Sequence, residues 1–144
     1  MEINGLPLHP LVVHAAVVFG PLGALGALFY VVFPSWRDRL RWPMVALALL
    51  ATGAIVVAYF TGNNFLNSRP ELKQLPAVDT HKARGTKLFW VTLAFGVVAL
   101  AAGWLHTRTG GVRIVLNVLL AVAALAVLVL VTLTGDAGAR AVWG

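Results

Sequence analysis

Long apolar stretches separated by short polar segments dominate this chain. Four stretches carry no formal charge, and they cover residues about 11–33, 43–61, 88–105 and 114–134. A helix needs roughly 20 mainly apolar residues to cross about 30 Å of hydrocarbon. The pattern therefore predicts an all-α integral membrane protein, with four spanning helices in a single domain over residues 1–144.

Glycine, proline and capping residues predict where the helices end. We expect Gly62 to cap the end of the second helix and Asp79 or Thr80 to cap the start of the third. His9 precedes a proline, which disfavours a helical backbone, so we expect it to lie extended just outside the first helix. Pro21 lies in the middle of the first stretch and predicts a kink there.

The connections between the stretches predict the topology. Two of them are short, which forces antiparallel neighbours and an up-down-up-down four-helix bundle. Residues of small size recur at spacings that let membrane helices approach closely, either within the bundle or in a homo-oligomer. They include Ala16, Gly20, Ala24, Ala51, Gly53, Gly96, Ala99, Gly103 and Ala124.

Charged residues predict how the bundle is oriented. The two short connections define one membrane face, here called the loop side, and hold five arginines and a single acid, Asp38. The opposite face, here called the terminus side, holds six basic residues diluted by four acids. Because cytoplasmic loops are enriched in lysine and arginine, we expect the short connections in the cytoplasm and both termini outside.

Composition narrows the class of protein further. The hydrophobic set makes up 60% of residues and charged residues 11%, against about 45–50% and about 25% in soluble domains. This excludes a soluble enzyme, and the net charge of +6 reflects the residues flanking the spans rather than a nucleic-acid partner. The absence of cysteine excludes disulfides, iron–sulfur clusters and thiol nucleophiles. No motif of an enzyme family is present. Because the chain has four apolar stretches, the lipid bilayer is its first expected partner.

Polar side chains collect on the terminus side when the four spans are placed antiparallel across the membrane. His14 is the most informative of them, because an ionisable group inside an uncharged run is a functional candidate. The alternative is a neutral imidazole bonded to a neighbouring helix or to interfacial water. His106 lies on the loop side and is expected to be an interfacial anchor. We expect Asp136 to pair with Arg140 one turn later or, alternatively, to be a partner for His14 or His81. The terminus-side set is His9, His14, Thr61, Asn63, Asn64, Asp79, His81, Thr132, Thr134 and Asp136.

Residues 5–14, Gly-Leu-Pro-Leu-His-Pro-Leu-Val-Val-His, resemble the opening His-Pro-Leu-x-x-His element of a four-span bacterial membrane family, domain of unknown function 2231. His81 matches a histidine before the third span in the actinobacterial-type branch. Residues 135–143 resemble that branch's Gly-His-x-Gly-Ala-x-x-Ala-Trp tail, with Asp136 in place of the histidine. The resemblance implies a bacterial cytoplasmic membrane and, because some relatives are fused to Rieske-type domains, an electron-transfer setting.

Three functions fit these features. The first is a b-type cytochrome with His14 and His81 as haem ligands and His9 as a substitute, exchanging electrons with a quinone, a redox partner protein or a respiratory complex. The second is a non-catalytic accessory or assembly subunit, or a homo-oligomer. The third is a non-haem metal site built from His9, His14, His81 and Asp136.

Overall fold

The computed structural model describes residues 1–144 and contains four long helices, each long and apolar enough to cross a membrane. A two-stranded antiparallel hairpin precedes them, and its turn at Asn4 and Gly5 has positive φ at both residues. Short 3₁₀ helices lie in the first and second connections. The elements are β1 (Glu2–Ile3), β2 (Leu6–Pro7), α1 (Leu8–Val32), α2 (Arg37–Asn67), α3 (Pro76–Trp104) and α4 (Gly111–Trp143).

The helices pack in a ring in which each contacts its two neighbours in sequence order, with α4 closing onto α1. Contacts are most extensive between α1 and α2 and between α3 and α4. Each contact between these two helix pairs, α1 with α4 and α2 with α3, is less extensive than either contact within a pair, and α1 lies diagonally opposite α3. This confirms the predicted all-α four-helix bundle.

Small side chains fill the contacts between helices, as predicted. Ala24, Ala48, Ala99 and Ala124 are fully buried between neighbouring helices. At Gly23 an added Cβ would lie 3.0 Å from the carbonyl oxygen of Leu47, so the backbones of α1 and α2 approach closely there. These small residues therefore serve packing within one chain.

Large apolar side chains cover the outer surface of the bundle. Phe29, Trp90, Val97 and Val122 are more than half exposed. A water-soluble domain would bury such residues, whereas the hydrocarbon of a bilayer solvates them. The surface therefore agrees with the four candidate spans.

The structure corrects the predicted helix ends. The second helix continues past Gly62 to Asn67, so Gly62 is not a cap. The third helix begins at Pro76 rather than at Asp79 or Thr80, since proline suits the first helical position, where the backbone N–H has no partner. That start lies well before the apolar stretch at Leu88, as expected for a helix that projects beyond the membrane.

The first helix also differs from the prediction at its start. It begins at Leu8, so His9 is helical and not extended. Pro10 lies in the first helical turn, where its missing N–H costs no hydrogen bond. α1 then runs through Pro21 as one continuous helix.

Candidate histidine site

His9 projects from α1 onto α2 at the terminus side. Its Nδ1 lies 3.0 Å from the carbonyl oxygen of Ala58 and 3.4 Å from the hydroxyl oxygen of Thr61. A carbonyl oxygen only accepts, so Nδ1 carries the hydrogen and donates it. Nε2 of the neutral ring is then left with its lone pair. A Cβ at position 62 would lie 2.9 Å from Cε1 of this ring, so Gly62 makes room for it.

His81 repeats this arrangement between α3 and α4. Its Nδ1 lies 3.0 Å from the carbonyl oxygen of Thr134 and donates to it. A Cβ at position 138 would lie 3.0 Å from Cε1 of the ring, so Gly138 plays the part that Gly62 plays for His9. Nε2 of His81 is likewise left with its lone pair.

The two rings meet across the bundle. Their centroids are 6.3 Å apart and their planes are inclined by 63°. His9 is hydrogen-bonded within the α1–α2 pair and His81 within the α3–α4 pair. Both rings are partly exposed at the terminus end. The site thus lies between the two helix pairs, and each pair fixes the orientation of one ring.

His14 lies apart from this pair of rings. It is exposed on α1, and its Nδ1 donates to the carbonyl of Pro10 in its own helix over 2.7 Å. Residues five apart on a helix face different sides. Since His9 is helical and faces inward, His14 faces outward, and the structure brings His9 rather than His14 to His81.

Asp136 is engaged by arginines. Its Oδ2 accepts a hydrogen bond from Nε of Arg140 over 2.9 Å, which confirms the predicted pair, and lies 4.0 Å from Nη1 of Arg84. No group of three or more histidine, aspartate or glutamate side chains is arranged to hold a metal ion. The structure therefore does not assemble the four-residue set of His9, His14, His81 and Asp136.

A second polar cluster lies on the loop side, where the sequence predicted only an interfacial anchor. His106 is 6% exposed, with Nδ1 2.7 Å from the hydroxyl of Tyr30 and Nε2 2.6 Å from Oδ1 of Asp38. Nη2 of Arg37 donates to the same hydroxyl over 3.0 Å. We call Tyr30, Arg37, Asp38 and His106 the Tyr30 network. One feature of the sequence could have indicated this network: Asp38 directly follows Arg37, and both lie on the same membrane face as His106.

Four long apolar helices around a core of small residues define a four-span helical membrane protein. Residues 5–144 match the profile of the family described as "Predicted membrane protein (DUF2231)", so the chain belongs to that family, as its opening element predicted. No curated protein and no solved structure matches the chain significantly.

Proposed function

We propose that this protein holds a transition-metal centre between its two helix pairs, with His9 and His81 as ligands. The meeting of their rings, 6.3 Å apart and from diagonal helices, carries the proposal. Metal-binding histidines usually donate one ring N–H to an oxygen acceptor and bind the metal through the other nitrogen. Both rings have that arrangement, and a shared metal would lie about 2 Å from Nε2 of each ring.

Haem b is the first candidate centre, because two imidazoles from facing helices hold haem iron in four-helix bundles. Bound haem would supply one-electron transfer to a quinone, a redox partner protein or a respiratory complex. A porphyrin needs more room than the packed rings leave between them. Its entry requires the two helix pairs to part along the α1–α4 and α2–α3 contacts, each of which is less extensive than the contacts within a pair.

A free metal ion is the second candidate, and the close packing around the rings favours it. The ring of Phe65 stacks on His9 with centroids 6.4 Å apart, while Gly62 and Gly138 contact the two imidazoles. An ion needs no widening of the bundle. Two imidazoles suit zinc, copper or iron, with water completing the coordination.

The test compares detergent-purified protein from cells supplied with haem precursor, by reduced-minus-oxidised visible spectra and by metal analysis. Haem binding gives Soret and α-band changes, and an ion gives stoichiometric metal without them. Either signal is expected to vanish in His9→Leu and His81→Leu. It should persist in His14→Leu, the matched control, because that ring bonds only its own helix.

A well-folded wild-type protein with neither haem nor metal would overturn the proposal. The histidines would then serve as links between helices, and the non-catalytic role of an accessory or assembly subunit would take its place. Loss of the signal in His14→Leu alone would instead show that the ligand is His14, on the outer face of α1.

We also infer that the chain lies in the bacterial cytoplasmic membrane with its loop side in the cytoplasm. The five arginines of the short connections, opposed by Asp38 alone, support this orientation. The histidine site would then lie on the outer side of the membrane, where it would meet a partner from that compartment.

A further inference from the structure

A chain of hydrogen bonds in the Tyr30 network leads from a buried phenol to the loop-side surface. Tyr30 is fully buried, whereas the side chain of Asp38 is 94% exposed. His106 lies between them and touches both, over 2.7 Å and 2.6 Å. A proton on the phenol is therefore two hydrogen bonds away from water.

In the neutral tautomer of His106 that carries its hydrogen on Nε2, the donors and acceptors give this chain one direction. Arginine has only donors, so the oxygen of Tyr30 accepts from Arg37. The single hydrogen of the phenol is then free to donate to Nδ1 of His106, which must be unprotonated to accept it. Nε2 carries the imidazole hydrogen and donates to the carboxylate of Asp38. Every hydrogen of the chain then points toward Asp38, and the proton of the phenol has an acceptor at Nδ1 of His106.

We propose that Tyr30 is a redox-active residue that gives one electron to an oxygen-centred radical, such as a lipid peroxyl radical, while His106 takes its proton. An oxidised phenol is a strong acid, so oxidation is favourable only where a base accepts the proton. His106 supplies that base at 2.7 Å. Electron transfer does not require contact between donor and oxidant, so the burial of the ring is compatible with this role.

The step balances within the network. One electron leaves Tyr30 for the oxidant, the phenol O–H bond breaks, and an N–H bond forms at Nδ1 of His106. The resulting imidazolium keeps its Nε2–H on the carboxylate of Asp38, whose negative charge stabilises it, and a neutral tyrosyl radical remains. A peroxyl radical that gains the electron becomes a hydroperoxide after taking a proton from interfacial water.

This site is separate from the His9–His81 pair. Tyr30 and His9 lie at opposite ends of α1, about 30 Å apart at about 1.5 Å per residue. The proposal uses no metal or haem, so its outcome does not depend on the proposed function.

The experiment uses the full chain in liposomes, with peroxyl radicals from a lipid-soluble azo initiator, and in detergent with photo-oxidised ruthenium tris-bipyridyl for kinetics. Freeze-quench electron paramagnetic resonance should detect a tyrosyl radical. The chain has two tyrosines, and the ring of the other, Tyr59, stacks on Phe89. The signal should persist in Tyr59→Phe and be lost in Tyr30→Phe.

The proton acceptor is tested by His106→Phe and Asp38→Asn. Losing a positioned base typically slows a reaction by about 100-fold or more, so we expect His106→Phe to slow tyrosyl formation at least about tenfold. Asp38 is exposed, so Asp38→Asn should fold normally and slow formation less. Deuterated water should slow the wild type and affect His106→Phe less.

A radical that survives in Tyr30→Phe, or equal rates in wild type and in both acceptor variants, would overturn the proposal. If Tyr30→Phe fails to fold, ring-deuterated tyrosine in Tyr59→Phe assigns the radical, since only Tyr30 then carries the label. A signal unchanged by that label would place the radical on tryptophan and overturn the proposal equally.

Discussion

Thr92, in the middle of α3, has a buried hydroxyl without a hydrogen-bond partner. Its side chain is fully buried and its Oγ1 makes no hydrogen bond. An unsatisfied buried hydroxyl costs about 1–3 kcal/mol. We therefore expect Thr92→Val to keep or raise the free energy of unfolding, by up to about that amount, measured by titration with a denaturing detergent and circular dichroism.

Thr52 provides the matched control for that prediction, because it faces α3 and its hydroxyl donates to the carbonyl of Ala48 over 2.7 Å. Thr52→Val removes a satisfied hydrogen bond, so it should not stabilise the protein. If Thr92→Val lost more stability than Thr52→Val, the Thr92 hydroxyl would have to be hydrogen-bonded inside the bundle, contrary to the structure.

Two glycines hold the space for the histidine rings. A Cβ at Gly62 or at Gly138 would come within 3.0 Å of an imidazole carbon. We expect Gly62→Ala and Gly138→Ala each to displace one ring, to lower the unfolding free energy by about 1–3 kcal/mol and to weaken metal or haem binding at His9 and His81.

The control for the glycine variants is Gly53→Ala. No atom lies within 4 Å of a Cβ at that position, which faces outward from α2. Alanine there removes only backbone freedom, so stability should be equal or slightly higher. Equal stability and equal ligand binding in all three variants would show that the rings occupy other positions.

At the scale of single residues, the sequence predicted that histidines collect on the terminus side, but not which two of them lie together. His9 and His81 are both among the predicted candidates, and they meet in the structure. Their pairing depends on α1 starting at Leu8, which turns His9 inward and His14 outward. The rule for a residue before proline predicts an extended backbone at His9. That rule is local and takes no account of the hydrogen bond from His9 to the carbonyl of Ala58 on a neighbouring helix.

At the scale of helices, close approach rather than apolar burial sets how α1 and α2 pack. A Cβ at Gly23 would lie 2.8 Å from Cβ of Ala51 and 3.0 Å from the carbonyl oxygen of Leu47. The backbone of Leu47 cannot move aside without shifting α2. We expect Gly23→Ala to lower the unfolding free energy by about 1–3 kcal/mol, in the same detergent titration.

The control for this prediction is Gly135→Ala in α4, where nothing lies within 4 Å of an added Cβ. As for Gly53→Ala, that variant should be as stable as the wild type or slightly more stable. If Gly23→Ala is equally stable, the α1–α2 contact is looser than the structure describes.

Helix ends were predicted less well than helix existence, and for one physical reason. Charge and hydropathy reveal where a helix enters the membrane, and all four apolar stretches lie inside helices to within one residue. Charge and hydropathy do not reveal where the backbone hydrogen bonding of a helix ends outside the membrane. α2 continues to Asn67, beyond Gly62, and the glycine at position 62 leaves space for the ring of His9 instead of ending the helix.

At the scale of the whole molecule, the bundle followed from span count and short connections, whereas the Tyr30 network did not. Its members come from α1, α2 and the connection after α3, so no local pattern links them. Arg37 and Asp38 were assigned to the loop-side charge pattern. Their contacts with Tyr30 and His106 show that one residue can serve both orientation and a buried network.

Orientation is the remaining property of the whole molecule, and the absence of cysteine makes it directly testable. Ser35 and Ser68 are exposed at opposite ends of the bundle, before and after α2. With the arginine-rich loops in the cytoplasm, Ser68→Cys should react with a membrane-impermeant maleimide in intact cells, and Ser35→Cys only after lysis. The opposite pattern would place the loop side outside and move the histidine site to the cytoplasmic face.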